Sequence, residues 1–100
     1  MNKKYGEYAI LMKALGDDTR VKIFDLLSKG EICAYELLEE FNITQPTLSY
    51  HMKILCDSGL VIGHKDGVRV KYSIDINKLD SLKNYLCLVS IKIHENIEKY

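Results

Sequence analysis

One hundred residues are enough for one domain with a single modest core and too few for two. At 47% hydrophobic and 28% charged the composition is that of an ordinary globular chain, and 14 basic side chains against 14 acidic ones exclude a uniformly basic coat for polyanions. No apolar run approaches the roughly 18 to 20 residues that span a bilayer, and Met1-Asn2-Lys3-Lys4 is not followed by a signal-peptide core, so a cytoplasmic chain with no membrane partner is expected. Three cysteines without short spacing form no disulfide framework and should be free thiols. Charge is unevenly spread: residues 31–41 hold four acids and no base, whereas residues 42–73 hold Lys53, Lys65, Arg69 and Lys71 against Asp57 and Asp66.

Residues 5–15 read as a first helix, with Tyr5, Tyr8, Met12 and Leu15 near one face and Leu11 beside it. Gly16 ends it where a helix C-terminus favours a residue free of Cβ strain. Asp17 is the expected N-cap of a second helix, and Asp18 sets a negative charge against the positive end of its dipole. Val21, Ile23, Phe24, Leu26 and Leu27 make that helix broadly apolar, hence central and buried, until Gly30 stops it. Glu31-Ile32-Cys33 is a short extended link. Cys33 then occupies the N-cap of a third helix with Glu36 three residues on, a capping box with a thiol in place of the usual hydroxyl.

Residues 34–58 have the layout of a helix-turn-helix, with a tight turn at Asn42-Ile43-Thr44 between the two helices. Thr44 caps the second, Pro46 fits its first turn, and Leu48, Met52 and Leu55 fall on one apolar stripe. Gln45, Thr47, Ser49, Tyr50 and Lys53 are left on other faces. A face meant only for water would be rich in Glu and Lys, whereas hydroxyls, an amide, a phenol and one cation suit hydrogen bonding to base edges and phosphates. Residues 45–53 are therefore read as a recognition helix for double-stranded DNA. The alternative is an ordinary helical hairpin with a polar second helix.

The period then changes. Two short alternating strands, residues 60–65 and 68–73, flank Asp66-Gly67, a strong hairpin signal because its central positions favour positive φ. The tip carries His64, Lys65, Arg69 and Lys71. A helix-turn-helix followed at once by a basic hairpin makes a wing over residues 60–73, against the plainer reading of a hairpin that only covers a sheet edge. Asp75 or Asn77 caps a last helix over residues 76–100, with Leu79, Leu82, Leu86, Val89, Ile93 and Ile97 on one stripe, widened by Tyr85 and Ile91. So long a helix carries more apolar surface than one small core absorbs, so it and residues 5–15 are the expected dimer interface, unless the helix folds back on its own subunit. A twofold dimer would set two recognition helices about one DNA turn apart, some 34–36 Å, and call for an inverted-repeat operator. The whole is expected to be a single mostly α domain over residues 1–100 with a small β-hairpin, in the order helix, helix, short strand, helix, helix, strand, strand, helix.

With these elements in place, Ala14-Leu15-Gly16-Asp17 with Thr19-Arg20, Val21-Lys22-Ile23 leading to Leu26-Leu27, Thr44-Gln45-Pro46-Thr47-Leu48-Ser49 with His51, Leu60-Val61, and the stretch 67–72 resemble the ArsR/SmtB family of winged-helix repressors in order and spacing. The resemblance implies a homodimer that binds operator DNA and releases it on sensing a metal, metalloid, oxidant or reactive sulfur species. It assigns bases and nearby phosphates to Gln45, Thr47, Ser49 and Tyr50, and gives His51 either a backbone contact or a packing role. Tyr50 stands where relatives often carry Arg or His, which alters the sequence read.

Sensing is less complete. Residues 31–36 lie over the family's thiolate-rich metal box, but Tyr35 replaces its second cysteine, and soft metals want two or three thiolates. The family's Asp-x-His site on the last helix is absent, since Asp80 is followed two residues later by Leu82. Cys33 at a helix N-terminus should have a lowered thiol pKa, and Cys56 and Cys87 could join it in a thiol site, although a lone cysteine is usually a small buried hydrophobe. His94 with Glu95 and Glu98 could hold a hard divalent ion, although a charged helix end is more simply a solvated face. No cofactor is expected beyond a metal or metalloid effector. Nothing resembles a phosphate loop, a nucleophile with its base or a catalytic acid pair, so enzymatic activity is not expected. The competing function is a winged-helix dimerisation or protein-interaction module without operator control.

Overall fold

The computed structural model describes residues 4–98. Its elements run α1 (Tyr5–Ala14), α2 (Asp18–Leu27), β1 (Ile32–Cys33), α3 (Ala34–Glu39), α4 (Gln45–Asp57), β2 (Val61–Asp66), β3 (Arg69–Ile74) and α5 (Ile76–Glu98), the order expected from the sequence. One core draws on every helix: Leu11 and Ala14 from α1, Ile23 and Leu27 from α2, Leu37, then Leu48, Met52 and Leu55 from α4, joined by Leu60, Val61 and Leu82.

Local signals set most boundaries. Asp17 accepts from the backbone N–H groups of Thr19 and Arg20 at 2.9 and 3.2 Å, which closes the open end of α2. Asp75 does the same for α5, accepting from Asn77 and Lys78, so of the two expected caps Asp75 is the one used. In the capping box of α3, Glu36 Oε1 accepts the Cys33 N–H at 3.1 Å.

Three expectations are corrected. On α1, Leu11 and Ala14 are buried and Tyr8 and Leu15 pack against the core, Tyr8 stacked on Tyr85 of α5, but Tyr5 and Met12 of the expected face are exposed. Gly16 is not left-handed. It is small for a different reason: a Cβ there would stand 3.3 Å from the Lys13 carbonyl oxygen. The hairpin turn is Gly67-Val68, one residue later than expected, since Asp66 pairs with Arg69 in the ladder. Gly67 has φ 66°, and no non-glycine residue among those described has positive φ. Positive φ at the first central position alone is the pattern of a type II′ turn, where Asp66-Gly67 would have needed it at both.

The hairpin is not left to itself. β3 lies between β1 and β2, with Ile32 opposite Tyr72 and Cys33 opposite Lys71, so the third strand anchors the wing's base to the helical core. At the other extreme α5 has 23 residues of which only Leu82 is buried. The radius of gyration, 16.2 Å, exceeds the about 13 Å of a compact chain of this length. Among the described residues no helix is long and apolar enough to cross a membrane.

Candidate nucleic-acid interface

The turn into α4 is built by two threonines. Thr44 Oγ1 accepts from the Thr47 backbone N–H at 3.3 Å and donates to Thr47 Oγ1 at 3.0 Å, while Pro46 supplies a fixed φ within the first turn. From there the helix divides in two. Leu48, His51, Met52 and Leu55 are buried, whereas Thr44, Gln45, Thr47, Ser49, Tyr50 and Lys53 are exposed, Tyr50 by 62%. Every polar residue expected on the outward face is there except His51. Its ring lies inward at 9% exposure, with Arg20 Nη1 2.9 Å from Nδ1, so of its two expected roles it takes the packing one.

The wing stands beside this face. Together with α3 and α4 it encloses an open groove of about 510 Å³, whose lining includes Tyr35, Gln45, Ser49, Arg69 and Tyr72. The Arg69 guanidinium sits 5.6 Å from the centre of the Tyr35 ring, a cation–π contact that lays it along the groove. Lys71 is spent differently: it is bonded to Asp66 at 3.1 Å, and that pairing pushes the Lys71 pKa up and the Asp66 pKa down. Lys53 is likewise paired with Asp57 at 3.0 Å, and His64 lies 3.4 Å from Glu31. The two acids of residues 42–73 thus take two of its four cations. Among the described residues Lys65 and Arg69 have no carboxylate partner. Exposed hydroxyls, an amide and a phenol on a helix, with unpaired cations next to them, can bond base edges in a major groove and neutralise phosphates alongside.

The thiols do not form a site within one chain. Cys33 is buried, Cys56 half-buried and Cys87 exposed. Burial pushes the Cys33 thiol up in pKa, the Glu36 carboxylate adds to that, and the nearby Lys71 and Arg69 charges do not outweigh them. The expectation of a lowered pKa fails because the helix-terminus effect is small beside desolvation and an adjacent anion. Cys56 is raised as well, by burial and then by Asp57. His94, Glu95 and Glu98 are all exposed, and no three metal-ligating side chains cluster among the described residues. A soft-metal site therefore does not fit the donors of a single protomer.

Two participants escaped sequence reasoning. Tyr35 became a wing contact only through the fold. Arg20 had a signal, since it shares the inward face of α2 with Ile23 and Leu27, where an arginine is out of place unless its N–H groups are bonded.

A helix-turn-helix with an outward polar helix and a cationic hairpin next to it defines a winged-helix DNA-binding protein. Residues 17–62 match the family model described as "Bacterial regulatory protein, arsR family". An arsenical resistance operon repressor of Staphylococcus aureus is 44% identical over 86 residues, covering 86% of this chain and 83% of the relative. Among solved structures, the crystal structure of an ArsR family transcriptional regulator superposes with a TM-score of 0.85 at 24% identity, over 94% of this chain and 97% of that one. A homodimeric winged helix-turn-helix DNA-binding domain from Mycobacterium bovis does so with a TM-score of 0.68 at 26% identity, over 95% and 85%. The chain belongs to the ArsR family. It is a sequence-specific DNA-binding transcriptional regulator.

Proposed function

We propose that the protein is a homodimeric repressor that holds an inverted-repeat operator through two copies of α4 and two wings. One observation carries this reading: a single protomer combines an outward polar face on α4 with an uncovered apolar stripe on α5, where Leu86, Ile93 and Ile97 are about half exposed or more. A twofold contact along that stripe, joined by the exposed Ile10 and Met12 of α1, would remove it from water and pair the reading helices. The M. bovis domain of like fold is a homodimer, and the S. aureus relative is an operon repressor, which supports the same assembly and action here. Thr44, Gln45, Thr47, Ser49 and Tyr50 are assigned to bases and adjacent phosphates, and Lys65 and Arg69 to the backbone, which Lys53 and Lys71 join only by leaving Asp57 and Asp66. The effector is assigned to the class of metals, metalloids and thiol-reactive species, for which Cys87 is the exposed thiol of one protomer.

The test is fluorescence anisotropy on a duplex enriched from a randomised inverted-repeat library. Thr47→Ala should weaken binding to that duplex by roughly 5- to 100-fold, the worth of a base contact. Arg69→Ala should weaken binding to all sequences alike and lower the salt slope by about 1. Failure to enrich any sequence, with a stable dimer, would favour the protein-interaction module instead. The assay repeated on reduced protein with zinc, trivalent arsenic, a disulfide-forming oxidant and a persulfide donor tests release; four unchanged affinities would refute the effector and leave the repressor standing.

A further inference from the structure

Arg20 is 9% exposed, as is His51. A guanidinium taken out of water is normally held by a carboxylate. Among the described residues none forms an ion pair with Arg20, and the Asp17 carboxylate caps the Thr19 and Arg20 backbone. Instead Nε donates to the Ala14 carbonyl at 2.7 Å, and Nη1 lies 2.9 Å from His51 Nδ1. Because a guanidinium has donors only, Nδ1 is the acceptor and the ring carries its hydrogen on Nε2.

Three helices meet in this one side chain. Ala14 is the last residue of α1, and its carbonyl is one that a helix end leaves without a partner. Arg20 itself starts the buried face of α2, and His51 lies on the inward face of α4, next to Tyr50 and one turn from Thr47. Leu48, Met52 and Leu55 hold α4 on the core, but apolar burial is non-directional and leaves the fine rotation of the helix about its axis open. A charge-assisted hydrogen bond does not, since it weakens steeply off line.

We propose that Arg20 and His51 are positioning residues for DNA reading. Arg20, anchored on the end of α1, sets the rotation of α4 through His51 Nδ1 and so ties the proposed dimer helices to the angle at which Gln45, Thr47, Ser49 and Tyr50 are presented. This rests on α4 being the recognition helix.

The experiment uses the full chain, the duplex enriched by the wild type, and poly(dI-dC) as non-specific DNA. His51→Phe keeps a ring and removes the acceptor; His51→Asn restores an acceptor close to Nδ1. His51→Phe should lower affinity for the enriched duplex about tenfold, with the poly(dI-dC) affinity and its salt slope unchanged, and His51→Asn should recover most of the loss. Nitrogen-15 NMR of the DNA-free wild type should show the His51 ring unprotonated at Nδ1 and hydrogen-bonded there, with that signature lost in Arg20→Lys. Equal specific affinities for His51→Phe and His51→Asn, parallel loss on both DNAs, or a ring protonated at Nδ1 would each overturn the proposal. Should His51→Phe not fold, His51→Asn against Arg20→Lys and the NMR signature decide. A wild type that enriches no sequence yet shows the bond puts the failure in the reading of α4; one that enriches a sequence without the bond puts it in the positioning.

Discussion

Replacing Ile93 by Glu tests the proposed assembly where the structure is most exposed to contradiction. Ile93 is 52% exposed on the α5 stripe, between Leu86 at 49% and Ile97 at 63%. Covering the exposed half of an isoleucine contributes about 1 kcal/mol, and a twofold interface counts it twice, so about 2 kcal/mol of apolar burial is removed with the side chain. That alone weakens the dimer about 30-fold. Two carboxylates brought into an apolar stripe cost several kcal/mol more unless they reach water. Sedimentation over a protein concentration series reads the dissociation constant directly, with Ile93→Val as the conservative control. Operator affinity should fall in step with dimerisation, because the two half-sites are no longer bound by one linked molecule. A wild type that stays monomeric across the series, or an Ile93→Glu variant that associates as the wild type does, refutes the use of this stripe.

Thiol reactivity follows exposure and pKa together: alkylation monitored by mass spectrometry should modify Cys87 first and Cys33 last, since Cys33 is 6% exposed and its thiol is pushed up by burial and Glu36. Rapid modification of Cys33 in the folded protein would contradict that environment. Acid stability should report the Asp17 cap. Partial burial works to raise that carboxyl, but the Arg20 and Thr19 N–H groups and the Arg20 charge hold it below its usual value. A carboxyl lowered in the folded state adds stability that is complete above the unfolded pKa, about 3.9, and is lost as pH falls through the lower folded value. Below about pH 4 the denaturation midpoint should therefore drop less steeply in Asp17→Asn, which keeps a cap but not the charge, than in the wild type. An Asp17→Asn variant with the wild-type acid profile would show that another group carries the effect.

Most of the architecture was legible because it rests on local chemistry. Asp17, Thr44 and Asp75 each close a helix start with their own side chain. The same holds for the outward face of α4, since Gln45, Thr47, Ser49, Tyr50 and Lys53 fall off the stripe of Leu48, Met52 and Leu55, while His51 turns inward to Arg20. Where a competing physical term came from elsewhere in the fold, the reading failed. The hairpin register slipped by one because the ladder to β1 and β3 decides which residues pair, and Cys33 was misjudged because Glu36 and the burial around it outweigh a helix end.

By itself the chain determined its element order, its helix caps and the polar surface of α4, all of which depend on residues within about one helical turn of each other. The tertiary structure alone decided that Arg69 lies over Tyr35, that Lys71 is spent on Asp66, that Arg20 bonds Ala14 and His51, and that Leu86, Ile93 and Ile97 of α5 stay exposed in one protomer. Pairings of that kind depend on which surfaces the packed helices bring face to face, and residues 31 positions apart, as Arg20 and His51 are, meet only once the core has formed.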